Sequence, residues 1–159
     1  MKMPRLLVSA CLAGVPCRYD GKSQPIQAIV DAVHQGEMVL LCPEVEGGLL
    51  TPRIPCERRG DHVINRVGED QTEAFIKGAQ RAWECYQQEG CCAALLQSRS
   101  PSCGVTHRYD GTFQNRLIIG QGITAEFLQK QGVPLFEDTQ WQEAMDYWTM
   151  KKKEGGDSL

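Results

Sequence analysis

The chain has 159 residues, 42% of them hydrophobic and 23% charged, with a formal net charge of -3 and an isoelectric point near 5.6. That length suits one domain with a full core, and the acidic balance excludes the broad basic surface of a non-specific nucleic-acid binder. No run of about 18 apolar residues is present, so no membrane span is expected.

In chain order, the apolar run at residues 5 to 10 reads as a first strand covered on both faces. It is too short, and too soon broken by a loop containing Gly14 and Pro16, to be a secretory signal. A helix is expected over about 25 to 35, with Pro25 in its first turn and Ile26, Ile29, Val30 and Val33 as its apolar stripe. A second strand follows at 38 to 42. Residues 43 to 70 are rich in Pro and Gly and show one weakly alternating piece, 62 to 67; a loop that long inside a compact domain is usually functional.

The clearest helix covers 71 to 88. Phe75, Ile76, Ala79, Ala82, Trp83 and Tyr86 fall within roughly one third of its circumference. A third strand is expected at 92 to 97, a short one at 117 to 119, and a helix capped by Thr124 and running to Gln131. A last short strand, 133 to 136, carries a proline that favours an edge. A final helix spans about 140 to 150. Strands alternating with helices predict a single α/β domain, residues 1–150, with a small, mostly parallel sheet flanked by helices. The tail, 151–159, is expected to be disordered.

Eight cysteines are the unusual feature. With no signal, a cytoplasmic setting is expected, where disulfides are uncommon. Thiols there are packed as small apolar groups or used for metals and catalysis. Cys85, Cys91 and Cys92 sit in a helix and at the start of a strand and read as packing. No Cys-x-x-Cys pair occurs, which argues against a zinc ribbon or a thioredoxin-type pair.

Cys11, Cys42 and Cys103 differ. Each follows a predicted strand, and in an open parallel sheet ligands bind beyond the carboxyl ends of the strands. Their convergence would make a soft metal site, for zinc, copper(I) or an iron–sulfur cluster, with Cys17 or Cys56 as a possible fourth donor. Glu44, two residues past Cys42, is placed to act as an acid or base. Ser100 and Ser102 could orient water or substrate, and Arg18, Arg53, Arg99 and Arg108 could hold a polar ligand.

Six ordered stretches carry a resemblance: Ser9-Ala10-Cys11-Leu12, Arg18-Tyr19-Asp20-Gly21, Cys42 to Leu49, Thr51-Pro52-Arg53, Ser100 to Gly104, and Tyr109 to Phe113. Together they resemble the thiouracil desulfidase family over about residues 5 to 137. The resemblance implies a Rossmann-like fold and a [4Fe-4S] cluster held by Cys11, Cys42 and Cys103, with one iron open to the substrate's sulfur. It implies Glu44 as the acid/base and Ser100 beside it, with Ser102, Arg18 and Arg53 as weaker candidates for substrate contact. Cys17, Cys56 and Gln97 depart from residues common at those positions, which leaves the substrate pocket open to variation.

The implied function is non-redox, hydrolytic cleavage of the carbon–sulfur bond in thiolated pyrimidines. The partner is then a small thiolated base or nucleoside, with no membrane and no extended nucleic acid expected. Two other readings stand beside it: the same chemistry on thiolated RNA, and a non-catalytic iron–sulfur or zinc protein for redox sensing or sulfur transfer.

Overall fold

The computed structural model describes residues 3–157. Strand β1 (Arg5–Ser9) runs into a single 3-10 turn, Ala10–Ala13. Helix α1 (Gln27–Val33), strand β2 (Met38–Leu41) and the one-turn helix α2 (Pro43–Glu46) follow. A hairpin of β3 (Cys56–Arg59) and β4 (His62–Asn65) leads to the long helix α3 (Thr72–Gln88) and strand β5 (Cys91–Leu96). A second hairpin, β6 (His107–Tyr109) and β7 (Leu117–Ile119), precedes helix α4 (Ile123–Lys130). Strand β8 (Leu135–Glu137), a 3-10 turn and helix α5 (Trp141–Asp157) complete the chain.

Strands β2, β1, β5 and β8 form one parallel sheet in that order. Alternation along β1 explains its unbroken hydrophobicity, because successive side chains enter opposite cores. Leu6 and Val8 join Ile29 of α1 and Ala144 and Trp148 of α5. Leu7 joins Ala82 of α3 and Ala125 and Leu128 of α4 on the other face. The molecule is thus a single α/β domain with helices on both faces of its sheet. The edge position of β8 agrees with Pro134 beside it, whose carbonyl accepts the Ala94 N–H.

Several expectations need correction. The stretch 43–70 is not a plain loop: it holds α2 and the β3–β4 hairpin. The hairpin was hidden because β3 reads Cys-Glu-Arg-Arg, and its buried Glu57 and Arg58 are satisfied by hydrogen bonds rather than apolar contact. Thr124 does not cap α4. Gly122 does, while the buried Thr124 hydroxyl pairs with Ser102. Ile76, placed on the buried stripe of α3, is exposed.

The tail is not disordered from residue 151, because α5 continues to Asp157. Lys152 reaches back over the Trp148 ring, 3.5 Å from its centroid, and towards Glu37. Lys151 pairs with Glu154 one turn on. Such i to i+3 pairs and cation–π contacts hold a polar helix end that hydropathy alone does not predict. Residues 158 and 159 lie outside the described residues.

Candidate active site

The carboxyl ends of β2, β1 and β5 lie side by side, and adjacent strands are only about 4.8 Å apart. Loops leaving them therefore converge. They line a cleft of about 570 Å³ that takes in Cys11, Cys17, Cys42, Cys56 and Cys103 together with Glu44, Arg53, Gln97 and Ser100. Cys85, Cys91 and Cys92 stay outside it, at the far end of the sheet around the start of β5.

Cys11 leaves β1 in the 3-10 turn, and its thiol donates to Gln97 Oε1 at 3.0 Å. Cys42 caps α2, with its Sγ 3.8 Å from the Cys17 carbonyl oxygen. Hydrogen bonding to Cys17, with burial next, pushes the Cys42 thiol above the ordinary thiol range. Burial pushes Cys103 up to about 12. Cys17 rises to about 11, chiefly through Cys11 as hydrogen-bond partner, with Cys42 pulling it back and burial adding to the rise. A raised thiol loads a metal by exchanging its proton for the cation.

Helix α2 is held where it is by an approach of backbone to backbone. A Cβ on Gly47 would strike the Ala74 carbonyl of α3, and one on Gly78 of α3 would strike the Pro43 carbonyl. Only glycine permits such contact. This places Glu44 in the cleft, where Arg53 Nε stands 3.2 Å from its Oε1. Burial raises the Glu44 carboxyl above its usual range, and the Arg53 guanidinium opposes that rise. A carboxyl raised by burial and held by an arginine is of the kind used as an acid or base.

Ser100 accepts the backbone N–H groups of Ser102 (3.0 Å) and Cys103 (2.9 Å) on its Oγ. Its own O–H remains to donate into the cleft. The two bonds also set the turn that carries Cys103.

Three weaker candidates fare differently. Arg18 lines the cleft, with Nη1 3.1 Å from Gln24 Oε1. Arg53 lines it too, but its guanidinium is consumed by Glu44, the Cys17 and Leu50 carbonyls and the Thr51 hydroxyl. Those bonds tie it to Glu44 and to the backbone around the cleft. Ser102 is fully buried outside the cleft, 2.7 Å from Thr124 Oγ1, and fastens the Cys103 loop to α4. It cannot touch a ligand. Arg99 reaches the cleft; Arg108 instead spans the two hairpins, with Nη1 2.6 Å from the Arg58 carbonyl.

The donors are soft thiols from three separate strand ends. Among the described residues, no three Cys, His, Asp or Glu side chains stand close enough to hold one metal ion. Soft thiols are the donors that iron–sulfur clusters take, and three of them from separate strand ends lining one cleft fit such a group.

The model of the family described as 2-thiouracil desulfurase matches residues 6–140. The chain belongs to that family. A solved structure with TM-score 0.88 is that of a [4Fe-4S]-dependent thiouracil desulfidase, TudS; it is 38% identical, and the match covers 92% of this chain and 99% of that one. The uncharacterized protein YbbK of Bacillus subtilis is 35% identical over 145 residues, 85% of this chain and 96% of its own.

For a 2-thiouracil desulfurase, the parts of the site that sequence reasoning missed are its supports. Glu57, the Gly47–Gly78 crossing and the role of Arg53 show no motif of their own. Phe113 and Asn115 also line the cleft, and both have positive φ (59° and 57°). The phenylalanine lies in a recognisable motif, but a hydrophobic residue in a turn gives no hint of which way it faces.

Proposed function

We propose that this chain is a [4Fe-4S]-dependent, non-redox desulfidase that hydrolyses the carbon–sulfur double bond of thiolated pyrimidines such as 2-thiouracil. One observation carries the reading: thiols from three adjacent strand ends line the same cleft as a half-buried carboxylate paired with an arginine. Membership of the 2-thiouracil desulfurase family and the likeness to a [4Fe-4S]-dependent thiouracil desulfidase support it. In this reading Cys11, Cys42 and Cys103 hold the cluster, and Cys17 and Cys56 do not. Bound there, the cluster supplies an iron unclaimed by protein, a soft Lewis acid suited to thiocarbonyl sulfur.

The chain's own residues do the rest. Glu44 takes a proton from the water whose oxygen attacks the thiocarbonyl carbon. Arg53 keeps enough of Glu44 ionised for that and fixes its direction. Ser100 donates its free O–H to the water or the ring. When the carbon–sulfur bond breaks, its electron pair leaves with sulfur, and Glu44 returns the proton, giving hydrosulfide and the carbonyl product. Water supplies oxygen and protons, and no electron is gained or lost. The substrate is a small thiolated base or nucleoside, and free thiols in such number fit a cytoplasmic setting. No described helix is long and apolar enough to cross a membrane.

Anaerobic incubation of the cluster-loaded protein with 2-thiouracil tests this. Sulfide and uracil in equal amounts, many times the protein concentration, are expected. Full iron content with no sulfide release would refute it.

A further inference from the structure

The loop between β6 and β7 is fastened far more firmly than a surface turn needs. Glu57 is one of the few buried carboxylates, and it plays no part in the chemistry above. Its Oε1 accepts the backbone N–H groups of Gly111 and Phe113, each at 3.0 Å. Arg59 grips the same peptide from the other side, with Nη2 2.6 Å from the Gly111 carbonyl. Gly111 itself has φ +97°, and a Cβ there would stand 2.7 Å from that of Arg59.

The loop so pinned holds two non-glycine residues with positive φ, Phe113 and Asn115, and both line the cleft. A phenylalanine in that region is an outlier costing energy, and it persists only where its surroundings enforce it.

Phe113 is the one phenylalanine in a cleft lined mainly by thiols, arginines and other polar groups. The Arg66 guanidinium lies over its ring, 5.6 Å from the centroid, so the ring is braced as well as presented. Two other lining amides, Gln24 and Gln97, are tied to each other and to Arg18 and Cys11. Asn115 is exposed at the cleft's rim, and its amide is free of protein hydrogen bonds among the described residues.

We infer that this loop is the base-recognition element of the site: Phe113 stacks on the pyrimidine, and the Asn115 amide reads its N3–H and the neighbouring carbonyl. An amide offers one acceptor and two donors, the complement of that edge. A 2-thio base keeps its carbonyl at C4 and a 4-thio base keeps it at C2. An amide bonded to N3–H and that carbonyl holds the two isomers flipped about the N3–C6 axis, with the thiocarbonyl of each on the same side. Asn115 is on this ground a substrate-orienting residue, turning the thiocarbonyl of either isomer towards the thiols. The inference rests on the desulfidase reading for its substrate class.

The test uses cluster-loaded protein and two probes. Uracil binding is measured by titration calorimetry, and kcat and KM by sulfide release from 2-thiouracil and 4-thiouracil. Phe113→Leu is expected to weaken uracil binding roughly tenfold, within the range of aromatic–base stacking. It should raise KM correspondingly with kcat little changed, and Phe113→Tyr should restore both. Asn115→Gly keeps the positive φ without strain and removes the amide; it should lower kcat/KM roughly tenfold for both isomers.

Uracil binding by Phe113→Leu equal to wild type, with the visible spectrum intact, would overturn the inference. So would kcat/KM for both isomers unchanged in Asn115→Gly, or a wild type that does not bind uracil. Phe113-dependent uracil binding in a protein that releases no sulfide would refute the reaction and uphold the recognition loop.

Discussion

In the proposed assignment, what separates a cluster ligand from a neighbour among the five thiols of the cleft is where its backbone leaves the sheet. Cys11 and Cys42 sit within two residues of a strand end, and Cys103 is delivered by a turn locked on Ser100. Cys17 packs between the first two from a loop. Serine at 11, 42 or 103 is expected to remove most of the iron from reconstituted protein, and serine at 17 to leave most of it. Iron per chain and the visible absorbance read this directly. Glu44→Gln should keep the cluster and lose at least a hundredfold in kcat/KM, the usual scale of a lost general base.

Arg53 gives a prediction with a sign. It lowers a Glu44 carboxyl that burial has raised. Arg53→Gln takes that opposition away, so the carboxylate forms only at higher pH. The acid limb of kcat/KM should move upward, and a limb that stays put or moves down would contradict the pairing. That Cys11, Cys42, Cys103, Glu44 and Ser100 line one cleft was legible in the sequence, because each belongs to a motif at a strand exit. The ties of Arg53 and Ser102 were not, because each has a hydrogen-bond partner distant in sequence. For Ser102 that partner is Thr124, and for Arg53 it includes the Cys17 carbonyl.

At the scale of elements, the site depends on α2 lying flat against α3. Gly78→Ala puts a methyl into the Pro43 carbonyl and forces the helices apart. Overpacking of this kind costs about 1–3 kcal/mol. A lowered Tm is expected together with reduced iron occupancy, since α2 carries both Cys42 and Glu44. A lower Tm with full iron would show that the crossing serves stability alone.

The β3–β4 and β6–β7 hairpins are joined through Arg58, Arg59, Arg108 and Glu57. That network of charged side chains left no hydrophobic period to read, so only the weak alternation of β4 and the apolar run of β7 were visible beforehand. The long α3 was legible to within a residue because its core-facing stripe follows helical spacing.

At the scale of the whole molecule, three features fix the fold: a parallel sheet in the order β2-β1-β5-β8, two cores, and a cleft where the carboxyl ends of β1, β2 and β5 meet. The class and the converging strand ends followed from apolar runs alternating with helical periods. The end of α5 did not, because Lys152 ties a polar helix end to Trp148 and Glu37, contacts that hydropathy does not predict. Trp148 is itself tied to the Pro4 carbonyl at 3.0 Å, joining the last helix to the entry of β1. Lys152→Ala is expected to cost about 0.5–1 kcal/mol in thermal or urea unfolding. No change would mean that the helix end contributes nothing to the domain.

The most direct measurement is the iron and acid-labile sulfide carried per chain after anaerobic reconstitution. The cleft predicts about four of each, with the broad visible absorption of a cubane cluster, and their loss when Cys103 is replaced by serine. A wild-type protein that takes up no iron, or a single zinc ion in its place, would contradict the account.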